Sequence, residues 1–126
     1  MGPDSFPGLA DALSREPQTA IIYVDAEGVI RFWNDGAREL FSHGASDALG
    51  QPAELIIPEN LRKAHGACFS RAMRSPWAGS SNWDSLEALH ATGELVAVDV
   101  FLVPIGRSGD MLSGVLAFFR RRAVAP

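Results

Sequence analysis

Between Thr19 and Trp33 the chain carries two β-branched, aromatic runs separated by four turn residues, the feature that most narrows what it can fold into. Thr-Ala-Ile-Ile-Tyr-Val from 19 to 24 and Val-Ile-Arg-Phe-Trp from 29 to 33 have strand composition, and Asp25-Ala26-Glu27-Gly28 between them predicts a hairpin. Asn34-Asp35-Gly36 then breaks the strand. Ala37, Leu40 and Phe41 at helical spacing predict a short helix ending near Ser42-His43-Gly44. Asn34 is placed to cap it, a contribution of about 1 kcal/mol. Ser46 is the expected cap of one further turn, Asp47 to Leu49.

Pro58, after Leu55-Ile56-Ile57, suits the first turn of a longer helix because its missing N–H would have had no partner there. In that helix Leu61, Cys68, Phe69, Ala72 and Met73 define one apolar stripe. His65 falls on it, four residues after Leu61 and four before Phe69, while Arg62, Lys63, Ser70, Arg71 and Arg74 take the other side. A Gly/Ser-rich stretch to Ser81 leads into three expected strands, 83–90, 94–105 and 111–119, with turns at 91–93 and 106–110. Asp99 should face water, which turns Val96, Val98, Val100 and Leu102 toward the helices. The whole predicts an α+β fold: one five-stranded antiparallel sheet with short helices and one longer helix on one face.

Ahead of this core, Phe6, Leu9 and Leu13, with alanines at 10 and 12, mark an amphipathic helix stopped by Glu16-Pro17. So short a helix needs a docking surface, either the sheet or a second copy of the chain. The layout expected is therefore a cap or dimerisation helix over 1–17, a domain over 18–120 and a tail over 121–126. At 126 residues and 47% apolar the chain holds one domain. Its 11 basic and 15 acidic side chains give a net charge of −4, which offers no field for a phosphate backbone, so no direct nucleic-acid binding is expected. Arg120-Arg121-Arg122 reads as a solvated end. A single cysteine excludes an intramolecular disulfide and a multi-thiolate zinc site. With no apolar run long enough for a membrane span and no signal-peptide pattern, the expectation is a cytoplasmic protein off the membrane.

The order strand, strand, short helices, longer helix, three strands resembles a PAS domain. The hairpin I-I-Y-V-D-A-E-G-V-I-R-F-W-N ending at Asn34, the segment L-G-Q-P-A-E-L-I-I-P-E-N-L-R-K-A-H from Leu49 to His65, and G-V-L-A-F-F-R from Gly114 to Arg120 are similar to stretches of bacterial PAS sensors. The resemblance implies a non-catalytic sensory or signal-transduction module, as in regulators of transcription, working as a homodimer and through an effector on the same or another chain. The chain ends at Pro126 with no kinase, cyclase or DNA-binding segment, so either a piece of a larger receptor or a free-standing protein is expected.

Function within such a fold lives in the site. The expected pocket is bounded by His65, Phe69, Trp83, Val100, Leu102 and Leu116. The sharpest reading is haem b: His65 takes the position of the iron-ligating histidine in the rhizobial oxygen-sensor kinases, after a similar P-E-N-L-R-K-A-H stretch. Where those sensors place an arginine or methionine on the distal side, this chain brings Trp83, Asp84 and Ser85, and the Trp83 N–H is the available donor. The Asn-Cys-Arg motif of the flavin photosensors is absent, and Cys68 reads as a small buried hydrophobe. His65 and Cys68 at i, i+3 form a thiolate–imidazole pair only in a setting with electropositive and oxyanion-binding neighbours, which the stripe does not supply, so no enzyme is expected. The alternatives to haem are a small organic ligand and a cofactor-free interaction module.

Overall fold

The computed structural model describes residues 8–74, 77–109 and 111–123. Its elements are helix α1 (Leu9–Arg15), strands β1 (Ala20–Asp25) and β2 (Ile30–Trp33), helices α2 (Asp35–Phe41) and α3 (Ala45–Ala48), two 3₁₀ turns (Ala53–Ile56 and Glu59–Leu61), helix α4 (Arg62–Arg74), and strands β3 (Asp84–Leu89), β4 (Leu95–Ile105) and β5 (Gly114–Arg121). The five strands form one antiparallel sheet in the order β2-β1-β5-β4-β3. The predicted α+β architecture is therefore present, with first and last strands paired at its centre.

Alternation decides which face each strand residue takes. Ile22 and Val24 of β1, Val96, Val98 and Val100 of β4, and Val115, Ala117 and Phe119 of β5 are buried on the inner face with Ala37, Leu40 and Phe41 of α2 and Ala48 of α3. The Phe41 and Phe119 rings meet edge to face at 5.4 Å. In β2 the alternation fails, because a bulge opposite Tyr23 and Val24 makes Arg31 an extra residue. Ile30 and Trp33, three apart, thus both point inward, and Arg31 swings out to Asp25 at 2.8 Å.

Two close approaches fix where the helices sit. A Cβ on Gly36 would strike the Thr19 carbonyl, so α2 can lie this near β1 only with glycine there. Asn34 caps α2 as expected, its Oδ1 accepting from Ala37 N at 2.9 Å. The next helix begins two residues earlier than expected, at Ala45, with Gly44 rather than Ser46 as its cap residue.

Several expectations need correction. α1 begins at Leu9, and Phe6 lies outside the described residues. Leu61 is exposed because it belongs to the 3₁₀ turn, whose tighter winding takes it off the face that α4 sets. Cys68 is exposed rather than buried. Within α4 Met73 is the buried side chain, since this helix roofs a cavity instead of pressing on the sheet. The arginine run is not simply solvated. Arg120 lies over the Trp83 ring at 3.9 Å and 3.6 Å from Asp99, and Arg122 donates to Leu86 O at 2.9 Å.

Candidate functional site

A cavity of about 350 Å³ lies between α4 and the inner face of the sheet. Its floor is Ile22 and Val24 from β1, Ile30 from β2, Leu102 from β4, and Val115, Ala117 and Phe119 from β5. Its roof is one side of α4: His65, Cys68, Phe69 and Ala72, spaced at three and four residues so that they share a helical face. Ala53, Ile56 and Ile57 close one end, and Trp77, just past α4, borders it as well. No Lys, Arg, Asp or Glu is among the lining residues described, and the volume falls at the small end of ligand-binding pockets, roughly 300–1,000 Å³.

One lining residue breaks this apolar character. His65 Nδ1 is buried and has no hydrogen-bond partner among the described residues. Its ring stacks on Phe69, centroids 6.2 Å apart and planes 26° from parallel, so the imidazole is held by the residue one turn on. A buried polar atom left unpaired costs a fold about 1–3 kcal/mol. Cys68 stands at the rim, bordering the cavity and open to solvent.

Of the six residues expected to bound the pocket, His65, Phe69 and Leu102 line it. Val100 is on the inner face as expected, but it packs into the core opposite Phe119, past the cavity's edge. Leu116 is on the other face: Val115 and Ala117 take the inner positions, and alternation sends Leu116 outward with Phe118. Trp83 precedes β3 at the outer surface, 37% exposed, its ring 5.7 Å from Phe101 and beneath the Arg120 guanidinium. Neither Trp83 nor Leu116 reaches the cavity, so the distal donor expected of Trp83 is not there.

The lining residues that the sequence reading missed left two signals. Ile22, Val24, Ile30, Val115, Ala117 and Phe119 follow from alternation once the bulge in β2 and the register of β5 are known. Trp77 is a large apolar residue set in a Gly/Ser-rich stretch, a composition in which such a side chain has little reason to occur unless something covers it.

On the outer face, Leu9, Ala10 and Leu13 of α1 lie over Ile21, Phe32, Leu116 and Phe118, leaving an apolar groove of about 210 Å³. No group of three or more metal-binding side chains occurs among the described residues. No helix among them is long and apolar enough to cross a membrane.

A family model described as the PAS fold matches residues 17–123, and the chain belongs to that family. Among solved structures it is similar to a PAS domain from Colwellia psychrerythraea, with 23% identity, 90% of this chain and 92% of that one covered, and a TM-score of 0.73. It is also similar to the PAS domain of a LuxR-family transcriptional regulator from Burkholderia thailandensis, in complex with ethanol, at 20% identity, 90% and 96% coverage, and a TM-score of 0.71. A third is the PAS domain of nitrogen regulation protein NR(II) from Vibrio parahaemolyticus, at 22% identity, 90% and 96% coverage, and a TM-score of 0.64. No curated protein matches the chain. Fold and family define a PAS domain.

Proposed function

We propose that this module is a non-catalytic sensor whose signal is a small molecule held in the cavity between α4 and the sheet, with a homodimer partner on the outer face. The observation that carries the reading is the cavity itself: about 350 Å³ of apolar space bordered by His65, whose Nδ1 is buried and has no partner among the described residues. The Burkholderia relative in complex with ethanol supports a small neutral molecule as a ligand for this fold.

Haem b fits these residues at one atom only. An iron-ligating histidine almost always donates its other ring N–H to a carboxylate, carbonyl or water, and the buried Nδ1 has no such acceptor among the described residues. A porphyrin would also bring two carboxylates to a lining with no Lys or Arg among the described residues, in a cavity at the small end of the range. The residues present therefore favour a smaller ligand. Wild type and His65→Ala should titrate identically with haemin; a sharpened Soret band lost in His65→Ala would restore the haem reading.

The sensor reading is tested by filling the roof. Ala72 is half-buried on α4 and borders the cavity, so Ala72→Phe places a ring in the ligand's space from the helix side. A compact apolar ligand at about 100 times its dissociation constant should add roughly 2.7 kcal/mol to wild-type stability, several degrees in Tm, and nothing to Ala72→Phe. Equal shifts in both proteins would move the binding out of this cavity, and no shift in either would leave a cofactor-free interaction module as the account.

A further inference from the structure

We propose that the cavity selects a compact, neutral, mainly apolar molecule with a single hydrogen-bonding group, and that His65 is the residue that recognises that group. The proposal rests on the reading of the cavity as a ligand site and narrows it to a chemical class.

Charge is the first restriction. No Lys, Arg, Asp or Glu is among the lining residues described, so a bound carboxylate, phosphate or ammonium would leave water without a fixed charge beside it. Size is the second. At roughly 30 Å³ for each water-sized group, about 350 Å³ accommodates on the order of a dozen non-hydrogen atoms, the scale of two fused rings. Shape follows from the walls, where Phe69, Phe119 and Trp77 offer ring surfaces against an aliphatic floor of Ile22, Val24 and Leu102.

Polarity is the last restriction, and His65 sets it. Of the lining side chains, His65 carries the atom that is both buried and without a partner among the described residues. A turn of the imidazole that brings that nitrogen to the cavity lets a hydroxyl or amide group on the ligand satisfy it. A second polar group would meet the aliphatic and aromatic side chains that make up most of the lining.

Three probes with one ring system separate these terms by calorimetric titration at pH 7: 2-naphthol, neutral with one hydroxyl; naphthalene, with none; and 2-naphthoate, an anion. For wild type, 2-naphthol should bind about 2- to 10-fold tighter than naphthalene, the range one net hydrogen bond supplies, and 2-naphthoate weakest of the three. His65→Leu should bring 2-naphthol within twofold of naphthalene, while His65→Gln, which keeps a hydrogen-bonding side chain, should retain the preference. The wild-type ranking decides even where a variant fails to fold. Equal binding of 2-naphthol and naphthalene by wild type, a preference that survives in His65→Leu, or 2-naphthoate binding as tightly as 2-naphthol overturns the selectivity while leaving the cavity a ligand site. No binding of any probe to wild type removes the ligand-site reading and this inference with it.

Discussion

Asn34 is 1% exposed, and both polar atoms of its side chain are engaged. Oδ1 accepts from Ile21 N at 2.8 Å and from Ala37 N at 2.9 Å, while Nδ2 is shared among Leu13 O, Glu16 O and Thr19 O at 3.0–3.1 Å. One amide therefore joins β1, α2 and the segment that carries α1. The sequence made the cap legible, because an asparagine between a strand and a helical pattern has a local partner three residues on. The other partners, up to 21 residues away, had no local signal. Asn34→Ala should accordingly cost more than a cap, about 3–5 kcal/mol, since it leaves buried Ile21 and Ala37 N–H groups unpaired. Urea denaturation measures this, and a loss near 1 kcal/mol would reduce Asn34 to a cap alone.

At the scale of elements, the β1–β2 hairpin is closed by the carboxylate of Asp25. It accepts from Glu27 N and Val29 N at 3.0 Å and from Arg31 Nε at 2.8 Å. Burial pushes this carboxyl up, but Arg31 and the two N–H groups outweigh it and hold the pKa below the ordinary carboxylate value. A carboxyl lowered in the folded state stabilises above its unfolded pKa and loses that contribution as pH falls through the folded one. Wild type should thus lose stability relative to Asp25→Asn as pH falls from 6 toward 3, and parallel melting curves for the two would show the hairpin to be indifferent to this charge. The hairpin was legible because its turn residues and β-branched runs are contiguous. Its bulge was not, since Arg31 as an extra residue is defined only by pairing with β1. The same limit misplaced Leu116: a one-residue change in reading which β5 residues face inward moves every side chain of the strand to the opposite face. Trp83 stands where the sensors carry their distal residue along the chain, but position along the chain does not say which face of a sheet a residue takes.

For the whole molecule, the two apolar faces of the sheet have different fates. The inner face is covered by α2, α3 and α4 around the core and the cavity, whereas the outer face carries α1 and a groove beside it. Leu9 and Leu13 remain 40% and 36% exposed although α1 lies on that face, which is the basis for a partner surface there. Light scattering at tens of micromolar should give a dimer for the intact chain and a smaller mass once residues 1–17 are removed; equal monomer masses would remove the dimer. Architecture was legible at this scale because the order of strand and helix signals along the chain admits few packings. The cavity was legible mainly through its roof, where helical spacing groups His65, Phe69 and Ala72 without needing any pairing register, and in its floor through Leu102.

The amide of Asn34 also bears on how α1 could move. Its Nδ2 reaches the Leu13 and Glu16 carbonyls, at and just past the end of that helix, while its Oδ1 stays on the core. A helix resting on apolar contacts alone can drift by degrees, because dispersion falls off smoothly with small displacements. Hydrogen bonds to a buried donor do not stretch in that way, so α1 is held by a catch rather than by a spring. Lifting it has a threshold, and a displacement that fails to reach that threshold leaves the helix where it is.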